Sequence, residues 1–108
     1  MKFSEIAQVF EEGFAGTDQF KELSKKAFQL MKSDPENAAL YYVVGVAAHA
    51  YVMRYEDQGV DPELANRAKE VLVGFSKRIV AALPQDASQR LQTASAIAID
   101  YEWNVREF

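Results

Sequence analysis

The sequence has no cysteine, three prolines, five glycines and one histidine among its 108 residues. Without cysteine the chain can form no disulfide, no iron–sulfur cluster and no thiolate zinc site. A membrane-spanning helix needs about 20 predominantly apolar residues. The longest uncharged stretch, Asn37–Met53, is too short for one. An ordinary hydrophobic content of 49% excludes a disordered or collagen-like chain.

Positive charge is also scarce, because 12 Lys and Arg stand against 16 Asp and Glu, for a net charge of −4. A free-standing DNA-binding protein needs clustered Lys and Arg, so this balance argues against a nucleic-acid partner. Glu5, Glu11 and Glu12 interrupt the N-terminal segment, which therefore lacks the apolar core of an export signal. We expect a cytoplasmic protein with no membrane partner.

The pattern of apolar residues predicts a single all-α domain over residues 1–108. Apolar residues recur at helical spacing, and no bounded run alternates with period two. The expected architecture is about five helices in a compact antiparallel bundle or in stacked helical hairpins. The predicted helices span about 4–14, 17–32, 35–56, 62–83 and 87–101. The expected N-caps are Ser4, Thr17 or Asp18, Asp34 and Asp61.

The third predicted helix, about 35–56, is apolar nearly all round, which is typical of a central helix that the others surround. Its small residues Gly45, Ala47 and Ala48 allow a neighbouring helix to approach closely. The first and last helices should each bury one stripe. The residues expected to face inward on them are Phe3, Ile6, Ala7, Phe10, Phe14, Leu91, Ala94, Ile97 and Ala98.

The stretch KAFQLMKSDPENAALYYVVGVAAHAY, about residues 25–51, has a proline between two helices and an alanine three residues later. Tyr41, Val44, Gly45 and Ala47 then fall where the tetratricopeptide repeat family has its aromatic, Leu, Gly and Ala. This segment, a quarter of the chain, thus resembles a tetratricopeptide-like helical hairpin, which implies stacked antiparallel helices. The chain departs from the family because its third helix is longer and about ten residues must be inserted before the second helix fits.

No constellation of residues for chemistry is visible. A catalytic dyad or triad would have to use His49, which has no carboxylate three or four residues away, so we expect a core or half-buried histidine. Glu56, Asp57 and Asp61 lack the spacing of a calcium loop, and no Gly-rich loop accompanies the basic residues. The expectation is a protein that is not an enzyme, with no catalytic residue, no metal site and no cofactor.

Two acidic clusters stand out, each beside aromatic residues. The helix dipole accounts for acids at helix N-termini. It does not account for Glu56 and Asp57 after the third helix, nor for Asp100 and Glu102 near the end of the fifth. Rings beside carboxylates suit a basic partner, because the rings supply desolvated contact and the acids supply steering. The predicted partner-binding residues are Tyr55, Glu56, Asp57, Asp61, Glu63, Asp100, Tyr101, Glu102 and Trp103.

The overall profile is similar to that of small acidic bacterial immunity proteins. This similarity implies an inhibitor, or antitoxin, that neutralises a basic toxin such as a nuclease by occluding its active site. One alternative is a tetratricopeptide-like adaptor or chaperone, which would bind an acidic peptide through basic residues. Those residues are Lys25, Lys26, Lys69, Lys77 and Arg78. A second alternative is a homo-oligomeric structural domain that self-associates through the third helix or Phe108.

Overall fold

Five α-helices build the protein in the computed structural model, which describes residues 1–105 and residue 108. Over this part of the chain there is no strand, which confirms the all-α class. No helix within the same residues has the length and apolarity to cross a membrane. The helices are α1 Phe3–Glu12, α2 Thr17–Ser33, α3 Ala38–Tyr55, α4 Pro62–Ala82 and α5 Ala87–Asn104, with a 3₁₀ turn at Pro35–Asn37.

Helix α3 is central, as its composition predicts, and it packs against α2, α4 and α5. Its apolar residues are spread around the whole helix, so it can bury a side toward each neighbour. The closest approach is to α2. There a Cβ added to Gly45 would lie 2.5 Å from the ring of Phe28. Absence of a side chain at Gly45 therefore lets the two helices meet.

The starts of the last two helices follow local sequence rules. Asp61 caps α4, its side chain accepting a hydrogen bond from the Glu63 amide at 3.0 Å, and Pro62 occupies the first helical turn. Asp86 caps α5 in the same way and accepts from the Gln89 amide at 2.9 Å. Both helices begin where the sequence places them.

The predicted caps of α1 and α2 are wrong, and that of the third helix is right only in its position. Helix α1 begins at Phe3, ahead of Ser4, and the Glu5 carboxylate accepts from the Lys2 amide at 3.1 Å. Helix α2 is preceded by Gly16 and has no side-chain cap. Asp34 stands at the N-cap of the 3₁₀ turn, with Pro35 after it as predicted, but its side chain accepts no backbone hydrogen bond there, and α3 itself begins at Ala38.

The Asp34 side chain instead accepts hydrogen bonds from residues between α2 and α3 and in the first turn of α3. Its Oδ2 accepts hydrogen bonds from Asn37 Nδ2 at 2.9 Å and from the buried Tyr41 hydroxyl at 2.6 Å. These two donors, Asn37 foremost, lower the pKa of the Asp34 carboxyl below its ordinary value of 3.8. Burial, followed by the bond to Asp34, raises the pKa of Tyr41. The ionised form of Asp34 is therefore the one that fits the fold.

This arrangement predicts a dependence of stability on acid. A depressed carboxyl pKa contributes stability above the ordinary pKa of 3.8, and that contribution is lost as the pH falls through the folded value. We expect the Asp34→Asn variant to show a smaller fall in unfolding free energy below pH 4 than the parent chain. The difference should be about 1 kcal/mol or less, because the side chain is partly solvated. Urea unfolding at pH 7 and at pH 2.5 measures the fall for each chain. An equal fall in the variant and the parent would contradict the assignment.

Three residues expected to face the core are exposed instead. Phe14 is 86% exposed because α1 ends at Glu12 and Gly13 is extended, so Phe14 leaves the helical register. Leu91 and Ala98 are exposed because α5 has a narrow inner side, on which only Ala94 and Ile97 are buried.

The histidine was also placed wrongly. His49 is exposed on α3, with its ring centroid 6.4 Å from that of Phe28. Only five of the 18 residues of α3 are exposed, so the outer surface of this helix is small. His49 therefore belongs to the narrow strip of the central helix that its neighbours leave uncovered.

Candidate partner-binding surface

The first acidic cluster lies on the loop from Glu56 to Asp61, which joins α3 to α4. Asp57 has a positive φ of 66°, a left-handed conformation that Asp tolerates better than most residues. It is exposed, as are Asp61 and Glu63. The side chain of Glu63 is 84% exposed and lies 3.8 Å from Arg67, a weak surface pair. The loop thus presents its carboxylates to solvent.

Glu56 has a partner within the protein. Its Oε1 accepts a hydrogen bond from Lys21 Nζ on α2 at 2.7 Å. This bond and its charge raise the pKa of Lys21, and Asp18 and Asp57 add to the effect. Glu56 is bonded to the Lys21 ammonium group, and Asp18 and Asp57 act on it through their charge alone. The cluster stays negative after Lys21 is counted, and it gains Asp18 from the start of α2.

Phe14 stands beside this loop. It lies on the turn between α1 and α2, at the edge of an open pocket of about 440 Å³. The turn is held from the other side by Lys69, whose Nζ donates to the Gly13 carbonyl at 2.6 Å. The pocket is also lined by Thr17, Tyr51, Gln58, Val60, Pro62 and Asn66. An exposed ring therefore lies next to the loop that carries Glu56, Asp57 and Asp61.

The second acidic cluster, at the end of α5, is partly neutralised within the fold. Asp100 Oδ2 accepts a hydrogen bond from Arg78 at 2.7 Å, and its Oδ1 accepts one from Asn104 at 3.0 Å. The Arg78 bond is the main reason that the pKa of Asp100 is lowered. Glu102 is exposed. Asp100 thus has a structural partner of its own, and Glu102 is the acid that this cluster offers to solvent.

Rings connect the ends of α3 and α5. Tyr55 is half-buried with its ring 4.9 Å from that of Tyr51, and Tyr51 meets Phe108 at 5.5 Å. Phe108 lies 5.9 Å from the half-buried ring of Tyr101. The two helices therefore end on the same side of the molecule. Trp103 lies two residues beyond Tyr101, about 200° around the helix axis, and it is exposed.

The fold therefore divides the predicted site. Tyr55, Glu56, Asp57, Asp61 and Glu63 stay together around one loop, and Tyr101 reaches them through Phe108 and Tyr51. Trp103 lies on the outer side of α5, among other exposed residues.

Sequence reasoning missed two residues of this candidate surface. Asp18 was attributed to the helix dipole, and Phe14 was assigned to the core. The glycines at 13 and 16 were a signal for Phe14, because a residue between two helix breakers need not keep the helical register. We define the acidic end as Phe14, Asp18, Glu56, Asp57, Asp61 and Glu63.

The acidic end has the chemistry of a docking surface. Its side chains are carboxylates and one exposed ring. Among the described residues no group of three or more His, Asp or Glu side chains is arranged to hold a metal ion. A separate open groove of about 550 Å³ between α1 and α4 carries the Lys77–Glu11 pair, 3.5 Å apart, at its edge.

Comparison of the chain with family models, with curated protein sequences and with solved structures found no match. The part of the chain that the structure describes is thus a five-helix all-α protein with an acidic end.

Proposed function

We propose that the protein is a small, non-enzymatic inhibitor that binds a basic protein and occludes its active site, in the manner of an immunity protein or antitoxin. A nuclease-like toxin is the partner class that this chemistry fits. The observation that carries the proposal is Phe14, which is 86% exposed and shares an open pocket with Gln58 and Val60 of the α3–α4 loop, the loop that carries Glu56, Asp57 and Asp61. An exposed ring beside acids is the arrangement of an anchor with its steering charges.

Charge supports a basic target. The chain carries a net charge of −4. At the acidic end the charges of Asp18, Glu56 and Asp57 act on Lys21, and Glu63 lies 3.8 Å from Arg67, so the five carboxylates outnumber these two cations. A cationic active site that binds phosphates would be attracted to these carboxylates, and the attraction would speed association. Phe14 would then exclude water at the contact. Occlusion requires nothing more than this surface complementarity.

The alternative of an adaptor for acidic peptides has less support from the contacts. Lys69 is bonded to the Gly13 carbonyl, Lys77 lies 3.5 Å from Glu11, and Arg78 is paired with Asp100. These three cations of the predicted basic surface already have partners on the chain. An acidic peptide would have to displace these partners.

The proposal is tested by capture from the native lysate on the immobilised protein, with elution by a salt step. Exposed charges are screened within about 8 Å at physiological ionic strength, so a partner held by the acidic end should elute as salt rises. We expect one basic protein, whose activity is then measured with and without the inhibitor. The test variant is Asp57→Asn with Glu63→Gln, because Asn also tolerates the left-handed conformation at residue 57.

The matched control is Glu22→Gln with Glu70→Gln, which removes two exposed carboxylates from α2 and α4. Both variants have the same net charge. We expect the test variant to bind and neutralise the partner at least about tenfold more weakly, a change of about 1.4 kcal/mol, and the control to stay near the parent. Equal weakening of both would mean that overall charge, and not this surface, drives binding.

A further inference from the structure

The outward side of α5 is unusual in this protein for its lack of charge. Of the 12 exposed residues of α5, Glu102 alone is charged. On α4, by comparison, four of nine exposed residues are charged. A neutral face on a chain with 26% charged residues requires an explanation.

The other charged residues of α5 are paired within the fold. Arg90 bonds to Glu36 at 2.7 Å and to the Gln85 carbonyl at 2.6 Å, and its side chain is only 15% exposed. Asp100 is bonded to Arg78. Both side chains therefore have partners on neighbouring elements, and neither adds an unpaired charge to the outer face.

Large apolar side chains occupy the outward side instead. Leu91 is 64% exposed, Ile99 59% and Trp103 69%. Leu91, Ile99 and Trp103 share one side of the helix with Ser95, since residues four apart lie one above the other. Apart from Glu102, the remaining exposed residues of α5 are uncharged, namely Ala87, Ser88, Gln89, Gln92, Ala96, Ala98 and Asn104.

We infer that this face of α5 binds the same face of a second copy of the chain, with the two helices antiparallel. Interface cores are depleted of charged residues, and a two-fold interface must be complementary to itself. A charged partner would find nothing to pair with along most of this face. Elsewhere the net charge of −4 makes two copies repel each other, so the neutral face is where they can approach.

The order of residues fits a two-fold axis at Ser95. In an antiparallel pair centred there, Leu91 of one copy lies opposite Ile99 of the other. Trp103 lies opposite Ala87, so the largest side chain meets one of the smallest. Glu102 lies opposite Ser88, in the first turn of the other helix, where the helix dipole favours a carboxylate.

The length of α5 is sufficient for such an interface. Its 18 residues span about 27 Å at a rise of about 1.5 Å per residue. A stable interface buries on the order of 1,000 Å² or more in total. Leu91, Ile99 and Trp103 are each more than half exposed, so these side chains from both copies, with the small residues between them, would bury area of that order.

The first test is the mass in solution by sedimentation equilibrium from micromolar to millimolar concentration. The parent chain should approach twice its 12.2 kDa as concentration rises. Ile99→Asp should raise the dissociation constant of the dimer at least about tenfold, because it buries a charge against the apolar Leu91 of the other copy on each side of the axis. The control Val9→Asp, at a residue 66% exposed on α1, should leave it unchanged. Circular dichroism checks that both variants remain helical.

The second test determines the register of the two helices. Because the chain has no cysteine, an introduced cysteine is its single thiol. Ser95→Cys should form a covalent dimer on mild oxidation, because the two sulfurs meet at the axis. Ser88→Cys should not, since the two copies of residue 88 would be about 21 Å apart. A chain that stays monomeric at millimolar concentration would overturn the inference, as would equal cross-linking of the two variants. Neither result bears on the acidic end, which lies on other elements.

Discussion

Replacing Tyr51 by alanine should lower the free energy of unfolding by about 3–5 kcal/mol, the range for loss of a fully buried aromatic ring. Tyr51 is fully buried, and its ring stacks on Phe20 with 3.9 Å between centroids. It also meets Phe108 edge-on at 5.5 Å and Tyr55 at 4.9 Å. Alanine would leave a cavity where α2, α3 and the C-terminal residue meet.

Urea unfolding at one fixed protein concentration, followed by circular dichroism, measures the change. Tyr51→Phe is the control, because it keeps the ring and should cost less than about 1.5 kcal/mol. A loss below about 1 kcal/mol for Tyr51→Ala would contradict the central position of this ring in the core. Similar large losses in both variants would assign the stability to the hydroxyl group.

Phe14→Ala should have a large effect on binding and almost none on folding, in contrast to Tyr51→Ala. The side chain is 86% exposed, so its removal should change the unfolding free energy by less than about 0.5 kcal/mol. As the anchor of the acidic end, it should contribute about 2 kcal/mol to binding, which corresponds to a partner affinity about 30-fold weaker. Titration of the captured basic partner by calorimetry measures the affinity.

Met53→Ala is the matched control for this substitution. Met53 is 69% exposed on α3, so the variant also removes a large exposed apolar side chain. It should bind the partner as the parent does. If Phe14→Ala bound normally while the loop variant Asp57→Asn with Glu63→Gln bound weakly, the partner would use the carboxylates without the ring. If neither substitution had an effect, the acidic end would not be the binding surface.

The sequence was sufficient for some of the features that depend on neighbouring residues. Asp61 caps α4 as predicted, with Pro62 after it, because the donor and acceptor of this cap are two residues apart. On α4, apolar residues recur at helical spacing and are buried, namely Ala68, Leu72, Phe75, Ile79 and Ala82. The uniform apolarity of α3 also identified the central helix, because it too can be read from that segment alone.

The candidate site was predicted only in part. The loop acids are exposed as expected, but Glu56 and Asp100 are paired with Lys21 and Arg78, which are 35 and 22 residues away in the chain. Capping rules and helical periodicity describe only local spacing, so they cannot identify such pairs. Phe14 was misassigned because helical spacing was extended past the point where the backbone leaves the helix.

The sequence by itself determined an all-α chain with a central apolar helix and an excess of acid, since periodicity, capping and composition are local or additive properties. The tertiary structure decided which carboxylates are neutralised internally and which remain exposed. It also decided that α5 buries only Ala94 and Ile97, which leaves Leu91, Ile99 and Trp103 on an uncharged outer face. Burial of a helix side depends on how many neighbours pack against it, and that number is a property of the whole fold.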